Sequence, residues 1–340
     1  MTSTNTLLQN RIANRPGPKR GAALFEGTDY PTRWKDYVGQ DEAKGFLRAA
    51  ALSAKFRRTR LDHVLIASGT AGIGKSALVR LVAQEMEVGL AEVQGPVDVS
   101  DAIRILTAMQ DGDILFWDEI HNAVSAGKAK VEWLLSYLQD GVIVTATGIT
   151  RVPNVTIIAA TTDAQKLPEA ILSRFTVKPV LESYTPAEAE QIVQVSARGI
   201  FCSIGMAMPS EWNRRAIVEA ANCNPRAITQ LLKILRDSAL ADGLTADVDT
   251  YPMDAMYRWS GLTPDGLDRL AQQYLAILFT QPNFRGGEKS IAQALGEPTP
   301  PRHTEKLLIQ KGLLRIAPQG RELTAEGVER AAALVEGMAA

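Results

Sequence analysis

The stretch DHVLIASGTAGIGKSALVRLVAQEM, residues 62–86, decides how this chain is read. It opens with a short apolar run, DHVLIAS (62–68), that meets a glycine loop. It closes with SALVRLVAQEM (76–86), whose apolar residues recur at helical spacing. Between them GTAGIGKS (69–76) fits G-x-x-x-x-G-K-[ST], and that pattern between a strand and a helix is a phosphate-binding loop. Gly69 and Gly74 let the backbone wrap closely around phosphates. Successive N–H groups and the helix N-terminus supply positive potential there. Lys75 is expected to reach the β- and γ-phosphates of ATP, and the Ser76 hydroxyl to sit on Mg²⁺. The nucleotide-binding segment is taken as Gly69, Thr70, Ala71, Gly72, Ile73, Gly74, Lys75, Ser76 and Ala77. A glycine-rich turn with a surface lysine would carry the same letters, so a second motif has to separate the two.

That motif is ILFWDEIH (114–121). Asp118 falls at the tip of an apolar strand, where a carboxylate needs a partner, and Mg²⁺ is the obvious one. Glu119 follows, placed to orient or deprotonate a water; the alternative is two solvent-facing carboxylates at a loop start. His121 either polarises this site or packs. In AATTDAQKLPEAILSRF (159–175), Thr162 ends the strand expected beside that of Asp118, where its hydroxyl would hold the attacking water or touch the γ-phosphate. A core or N-cap threonine would look the same. Arg174 follows a short helix and does not easily bend back to its own loop. In a ring it would reach a neighbour's γ-phosphate, as an arginine finger does; alone it reads as a surface arginine. Arg226, in CNPRAITQ at a helix start, is a second arginine for the phosphates or a helix-terminal surface charge.

Around these motifs, strands and helices alternate from 31 to about 182. Helices are expected at 98–109, opening on an N-cap, and at 129–139; strands at LAEVQG, DILFWDE, VIVTATG and VTIIAATT. Strands buried on both faces and alternating with helices make a parallel α/β sheet, whose ligands bind beyond the carboxyl ends of the strands. Residues 183–250 turn all-helical, reading as a small lid. Residues 251–340 read helix (264–279), helix (288–295), helix (302–311), hairpin (313–324), helix (325–337), which is winged-helix order. Residues 1–30 are polar, with Pro16, Pro18 and Gly21, and are expected to be a flexible tail, unstructured or serving as a backbone-binding arm.

Composition narrows the class. At 340 residues the chain suits two or three domains, and 46% hydrophobic residues suffice for a sizeable core. A formal net charge of -1 means any nucleic-acid surface must be a local patch. Two cysteines and three histidines without metal-ligand spacing argue against a zinc site and for reduced thiols. The start lacks an apolar signal region, and no run reaches the roughly 18 apolar residues of a membrane span, so a cytoplasmic location with no membrane contact is expected.

The order YPTRWKDYVGQDEAK, LDHVLIASGTAGIGKS, DGDILFWDEIH, TIIAATT, ILSRF, NPRAITQLLKILRD resembles the AAA+ ATPases. More narrowly, LDHVL before the loop, DEIH at the strand end and a winged-helix tail with IAQALGE and LLIQKGLLRIAPQGR resemble the RuvB-like Holliday-junction branch-migration motors, over about 31–335. The resemblance implies an α/β AAA+ P-loop domain, a helical lid and a C-terminal winged helix. It implies a ring, hexameric in the family, that hydrolyses ATP with Mg²⁺ to move double-stranded or branched DNA. By position Tyr37 and Val38 match the adenine side, Lys75 and Ser76 the phosphate and magnesium, and Asp118 and Glu119 the magnesium and water-activating pair. Thr162 matches sensor 1, Arg174 the arginine finger and Arg226 sensor 2. Three features depart from the family: Thr70 and Ala71 replace two prolines, the segment VIVTATGITRVPNVT is shorter than the family's hairpin, which docks on the partner RuvA, and Gln319 replaces a basic wing residue. AATTDAQKLPEAILSRF looks closer to clamp-loader ATPases.

For DNA, Arg302, His303, Lys306 and Lys311 fall on or beside the third helix of the last domain, and Arg315 and Arg321 in its wing. Such charges would bind backbone without reading sequence; a solvated mixed-charge helix, interrupted by Glu305, is the plainer alternative. Two other functions stay open: a clamp-loader-like or assembly ATPase acting on a protein, and a nucleotide-gated DNA-binding scaffold.

Overall fold

A computed structural model describes residues 18–25, 28–127, 132–146, 148–243, 251–299 and 301–339. They divide into two compact units, one of Met1–Gly199 with Cys223–Thr229, the other of Ile200–Asn222 with Gln230–Ala340.

The first unit is built on a five-stranded parallel sheet. Its strands are β1 (Val64–Ser68), β2 (Leu90–Gln94), β3 (Ile114–Asp118), β6 (Thr156–Thr161) and β7 (Val180–Leu181), in the order β2-β3-β6-β1-β7. Side chains alternate across the pleat. Ile114, Phe116, Ile158 and Ala160 face one core with α1 (Asp41–Arg57) and α2 (Lys75–Met86). Leu115, Trp117, Ile157 and Ala159 face another with α3 (Val99–Thr107) and α5 (Glu132–Asp140). Asp98 caps α3 as expected, its carboxylate accepting the Asp101 N–H at 3.0 Å. Short helices α4 (Ile120–Ser125) and α6 (Glu169–Leu172) follow β3 and β6, and α7 (Pro186–Ile200) follows β7.

Two expectations change. VIVTATG does not join the parallel sheet: β4 (Val142–Thr145) pairs antiparallel with β5 (Gly148–Arg151) as a separate hairpin. The cross-strand pair Val144 and Ile149 is 55% and 69% exposed while Ile143 is fully buried, so the hairpin turns one face outward and packs the other. The tail is also anchored where it is described. Lys19 exchanges backbone hydrogen bonds with Leu90 at the open edge of β2, and Leu24 is fully buried. Arg20 meets the buried Asp113 carboxylate at 2.7 Å, and Asp113 also accepts the Gly89 N–H at 2.8 Å and the Gln110 N–H at 3.0 Å. Residues 1–17, with Arg11 and Arg15, lie outside the described residues.

The second unit holds α8 (Glu211–Ala220), α10 (Met253–Ser260), α11 (Arg269–Phe279), α12 (Glu288–Leu295), α13 (Arg302–Gln310) and α14 (Ala325–Ala339). α9 (Pro225–Ala241) starts in the first unit and continues in the second, and α7 falls almost wholly in the first. The helix expected at 264–279 starts later: Gly266 is left-handed (φ +77°), and Asp268 caps α11 by accepting the Ala271 N–H at 2.8 Å. α10 was not anticipated. The wing, β9 (Leu314–Ala317) and β10 (Gly320–Leu323), gains a third strand, β8 (Arg285–Gly286), giving the order β8-β10-β9.

Candidate nucleotide site

The loop after β1 and the tips of β3 and β6 meet at one end of the sheet. Gly72 and Gly74 have φ of +79° and +100°. A Cβ on Gly74 would lie 2.7 Å from the Tyr37 hydroxyl, and one on Gly72 the same distance from Asn224 Oδ1. Glycine is required at both for conformation and space. Lys75 opens α2 and is only 6% exposed. Its Nζ donates to Ser68 Oγ at 3.1 Å and to Glu119 Oε1 at 3.3 Å. Ser76 and Ala77 complete the first turn.

Asp118 ends β3 and accepts the Glu119 N–H at 3.1 Å and the Gln94 amide at 3.4 Å. Burial, then the neighbouring Glu119 charge, raise its pKa against the pull of Lys75. Glu119 sits in the left-handed region (φ 49°), which turns its carboxylate from the strand toward the loop. That carboxylate accepts the Thr162 N–H at 3.0 Å and hydroxyl at 2.9 Å. Burial alone would raise Glu119, but the Thr162 N–H, the Lys75 charge and the Thr162 hydroxyl outweigh it and hold the pKa below the usual range. Thr162 stands just past the last residue of β6 rather than within it. His121 is buried with Nδ1 3.0 Å from Thr161 Oγ1 and 3.2 Å from Glu119 Oε2, so it touches the site as well as packing.

The donor set suits ATP with a hard cation. No cluster of three His, Cys, Asp or Glu among the described residues could cage a metal. A hydroxyl at Ser76 and a carboxylate at Asp118 match Mg²⁺, which takes few protein ligands and fills its shell with phosphate oxygens and water.

Other expected residues sit elsewhere around the site. Tyr37 is buried beneath the loop, its hydroxyl 3.4 Å from the Gly74 carbonyl, while Val38 is half-buried. Arg226 lies in the first turn of α9; its N–H donates to the Gly72 carbonyl at 3.2 Å and its side chain is exposed. Arg174 donates to the Ala170 carbonyl and, at 2.9 Å, to Gln139 Oε1, so none of these bonds reaches the loop of its own chain. Sequence reasoning missed Asn224, whose Nδ2 donates to the Ala71 carbonyl at 2.8 Å, and Tyr184, whose hydroxyl is 3.3 Å from the Ile73 carbonyl. Asn224 carried a readable signal, since Asn before Pro is a helix-start signature.

In the second unit Arg302 and Lys306 are exposed on α13, as is His303. The wing arginines are engaged by carboxylates: Arg315 with Glu322 at 2.9 Å, and Arg321 with Glu305 at 2.9 Å and Glu288 at 3.0 Å. Glu305 does not interrupt a solvated face. It is 6% exposed, points inward and accepts the Tyr274 hydroxyl at 2.7 Å.

Residues 30–181 match the family described as the Holliday junction DNA helicase RuvB P-loop domain. The chain is 32% identical over 310 residues to the Holliday junction branch migration complex subunit RuvB of Kosmotoga olearia, covering 86% of this chain and 87% of that one. The subunit of the same name from Rubrobacter xylanophilus is 32% identical over 321 residues, covering 89% and 87%. Among solved structures, the Thermotoga maritima RuvB Holliday junction branch migration motor superposes with a TM-score of 0.71 at 26% identity, covering 89% of this chain and 97% of that one. With a phosphate loop, a strand-tip carboxylate pair and the matching sheet already in place, these likenesses settle the family: the chain belongs to the RuvB family of P-loop ATPases.

Proposed function

We propose that this protein is an ATP-driven DNA motor of the RuvB type, a homo-oligomeric, hexameric ring that hydrolyses ATP to translocate or branch-migrate double-stranded and junction DNA. The observation that carries it is the convergence of Lys75 and Thr162, from two separate segments, on the Glu119 carboxylate supplied by a third. Lys75 holds the phosphates. Glu119, kept ionised, orients the attacking water and takes its proton, and Thr162 fixes that carboxylate. Ser76 and Asp118 would hold Mg²⁺, which when bound neutralises charge developing on the phosphate oxygens. Arg174 serves the neighbouring subunit's site, and Arg226 carries nucleotide state into α9. The division into an ATPase domain (31–182), a lid (183–250) and a winged helix (251–340) is part of the proposal, with Arg302, Lys306, Arg315 and Arg321 as its DNA-facing charges. The exposed Val144–Ile149 pair of the hairpin is the surface offered to a RuvA-like adaptor. No helix among the described residues is long and apolar enough to cross a membrane, and a DNA substrate points to the cytoplasm.

One observation favours a second reading, a clamp-loader-like ATPase acting on a protein: Arg315 and Arg321 are already bonded to glutamates. ATP hydrolysis without DNA, with linear duplex and with a four-way junction, followed by strand exchange on the junction, separates the two. Stimulation by DNA with junction processing supports the motor; hydrolysis indifferent to every DNA overturns it in favour of a protein substrate.

A further inference from the structure

Every carbonyl of the phosphate loop from Thr70 to Gly74 is taken by a donor. Ser68 Oγ donates to Thr70 O at 2.9 Å, and Asn224 Nδ2 to Ala71 O at 2.8 Å. The Arg226 N–H donates to Gly72 O at 3.2 Å, the Tyr184 hydroxyl to Ile73 O at 3.3 Å, and the Leu78 N–H to Gly74 O at 3.0 Å. In a trans peptide the carbonyl of one residue and the N–H of the next point in opposite directions. Fastening these carbonyls on the protein side therefore aims the N–H groups of Ala71 to Lys75 to the other side, where an anion is received.

We propose that Asn224 is a positioning residue of the nucleotide site: it fixes the phosphate loop and the start of α9 with a single side chain. This inference rests on the nucleotide-binding reading above. The amide nitrogen holds Ala71 O, while the amide oxygen accepts the N–H groups of Arg226 at 3.0 Å and Ala227 at 3.3 Å. Only one amide orientation satisfies both ends, because a carbonyl accepts and an N–H donates. Serine, threonine or aspartate would cap α9 as well. Aspartate caps without a donor, and a serine or threonine hydroxyl ends one bond short of the amide nitrogen that reaches Ala71 O, so asparagine is needed for the second bond and not for the first. The fit is close, since a Cβ on Gly72 would fall 2.7 Å from Asn224 Oδ1 and 2.9 Å from the Arg226 Cβ. Arg226, two residues on, is thereby set relative to the loop by the same side chain.

The test compares Asn224→Ser with Asn224→Ala in the full chain. Three quantities are measured: affinity for a fluorescent ATP analogue with Mg²⁺, the kcat and KM of hydrolysis, and melting without nucleotide. Asn224→Ser keeps the cap and should melt near wild type, whereas Asn224→Ala should melt lower. Both should weaken nucleotide binding by about fivefold, the usual worth of one neutral hydrogen bond, with KM rising more than kcat falls. A cap-only role predicts that the serine variant binds like wild type, and that result overturns the inference. A wild-type chain that binds no nucleotide overturns the nucleotide reading and this inference with it, while wild-type binding with an unaltered serine variant overturns the inference alone.

Discussion

Replacing Glu119 by glutamine separates two jobs of one carboxylate. Lys75 Nζ, 6% exposed, has Glu119 at 3.3 Å as its anionic partner and Ser68 at 3.1 Å as a neutral one. Removing one member of a fully buried pair costs about 3–5 kcal/mol. Glu119 is 25% exposed and glutamine still offers a carbonyl oxygen, so solvent and residual bonding reduce this to about 1–2 kcal/mol. Bound phosphates give Lys75 another anion, so the loss vanishes once the site is filled. By linkage the variant should melt lower than wild type without nucleotide, and bind a non-hydrolysable ATP analogue roughly 5–30-fold more tightly. Steady-state hydrolysis should fall by about two to four decades, the typical contribution of a positioned base. Melting with and without the analogue, titration of the analogue, and phosphate release read all three. Equal melting and equal affinity would remove the Lys75–Glu119 pair from the energetics, and unchanged hydrolysis would refute Glu119 as the base.

Arg174→Ala should cost about three decades in turnover with nucleotide affinity kept; mixed with Lys75→Ala protein it should regain activity, and no rescue at any ratio with assembly intact refutes action across subunits. His63 accepts the Ile157 N–H at 2.9 Å through Nδ1, and burial, then the Arg60 charge, lower its pKa from 6.5 to about 3. Between those values the unfolded chain binds a proton that the folded chain does not, so stability rises with pH across the window by at most about 1.4 kcal/mol per unit. His63→Gln should flatten that acid limb in a series of melting temperatures, and an unchanged limb would assign it to other groups. Glu305→Ala leaves Tyr274 and Arg321 without their shared acceptor and should destabilise the second unit by about 2–4 kcal/mol; a calorimetric loss under about 0.5 kcal/mol, the usual size of a surface change, would contradict the buried network.

Much of the fold was legible where its signals are local. Gly69 to Ser76 and Asp118–Glu119 specify their conformation and chemistry within a few residues, and the helix at 288–295 matches α12 to the residue. What failed depended on partners distant in sequence. VIVT has strand propensity, but only its pairing with GITR shows that it forms a hairpin rather than a buried strand. The tail looked mobile because its anchors are Leu90 and Asp113, and nothing near Arg20 announces a buried carboxylate 93 residues away. Glu305 looked like an interruption of a solvated basic face, since helical charge patterns give no sign that Tyr274 and Arg321 wait on the inner side. Asn224 was passed over because a cap residue and a loop clamp read identically until Ala71 is placed beside it.

In the site two adjacent carboxylates acquire opposite environments. Asp118 stays on the strand axis, with a 3.4 Å amide as its side-chain donor, and burial and the Glu119 charge push its pKa up. Such a carboxylate gains most from a cation, because a bound divalent ion removes both causes of its discomfort at once. Glu119, turned aside by its left-handed backbone, collects Thr162 and Lys75 and is driven the other way. Environment pushing paired carboxyls apart is the usual basis for dividing their roles. Here one turn of backbone at Glu119 produces the division. It also places Glu119, the proposed base, in the hold of Lys75 and Thr162, so on the proposed function phosphate arrival at Lys75 would release that base.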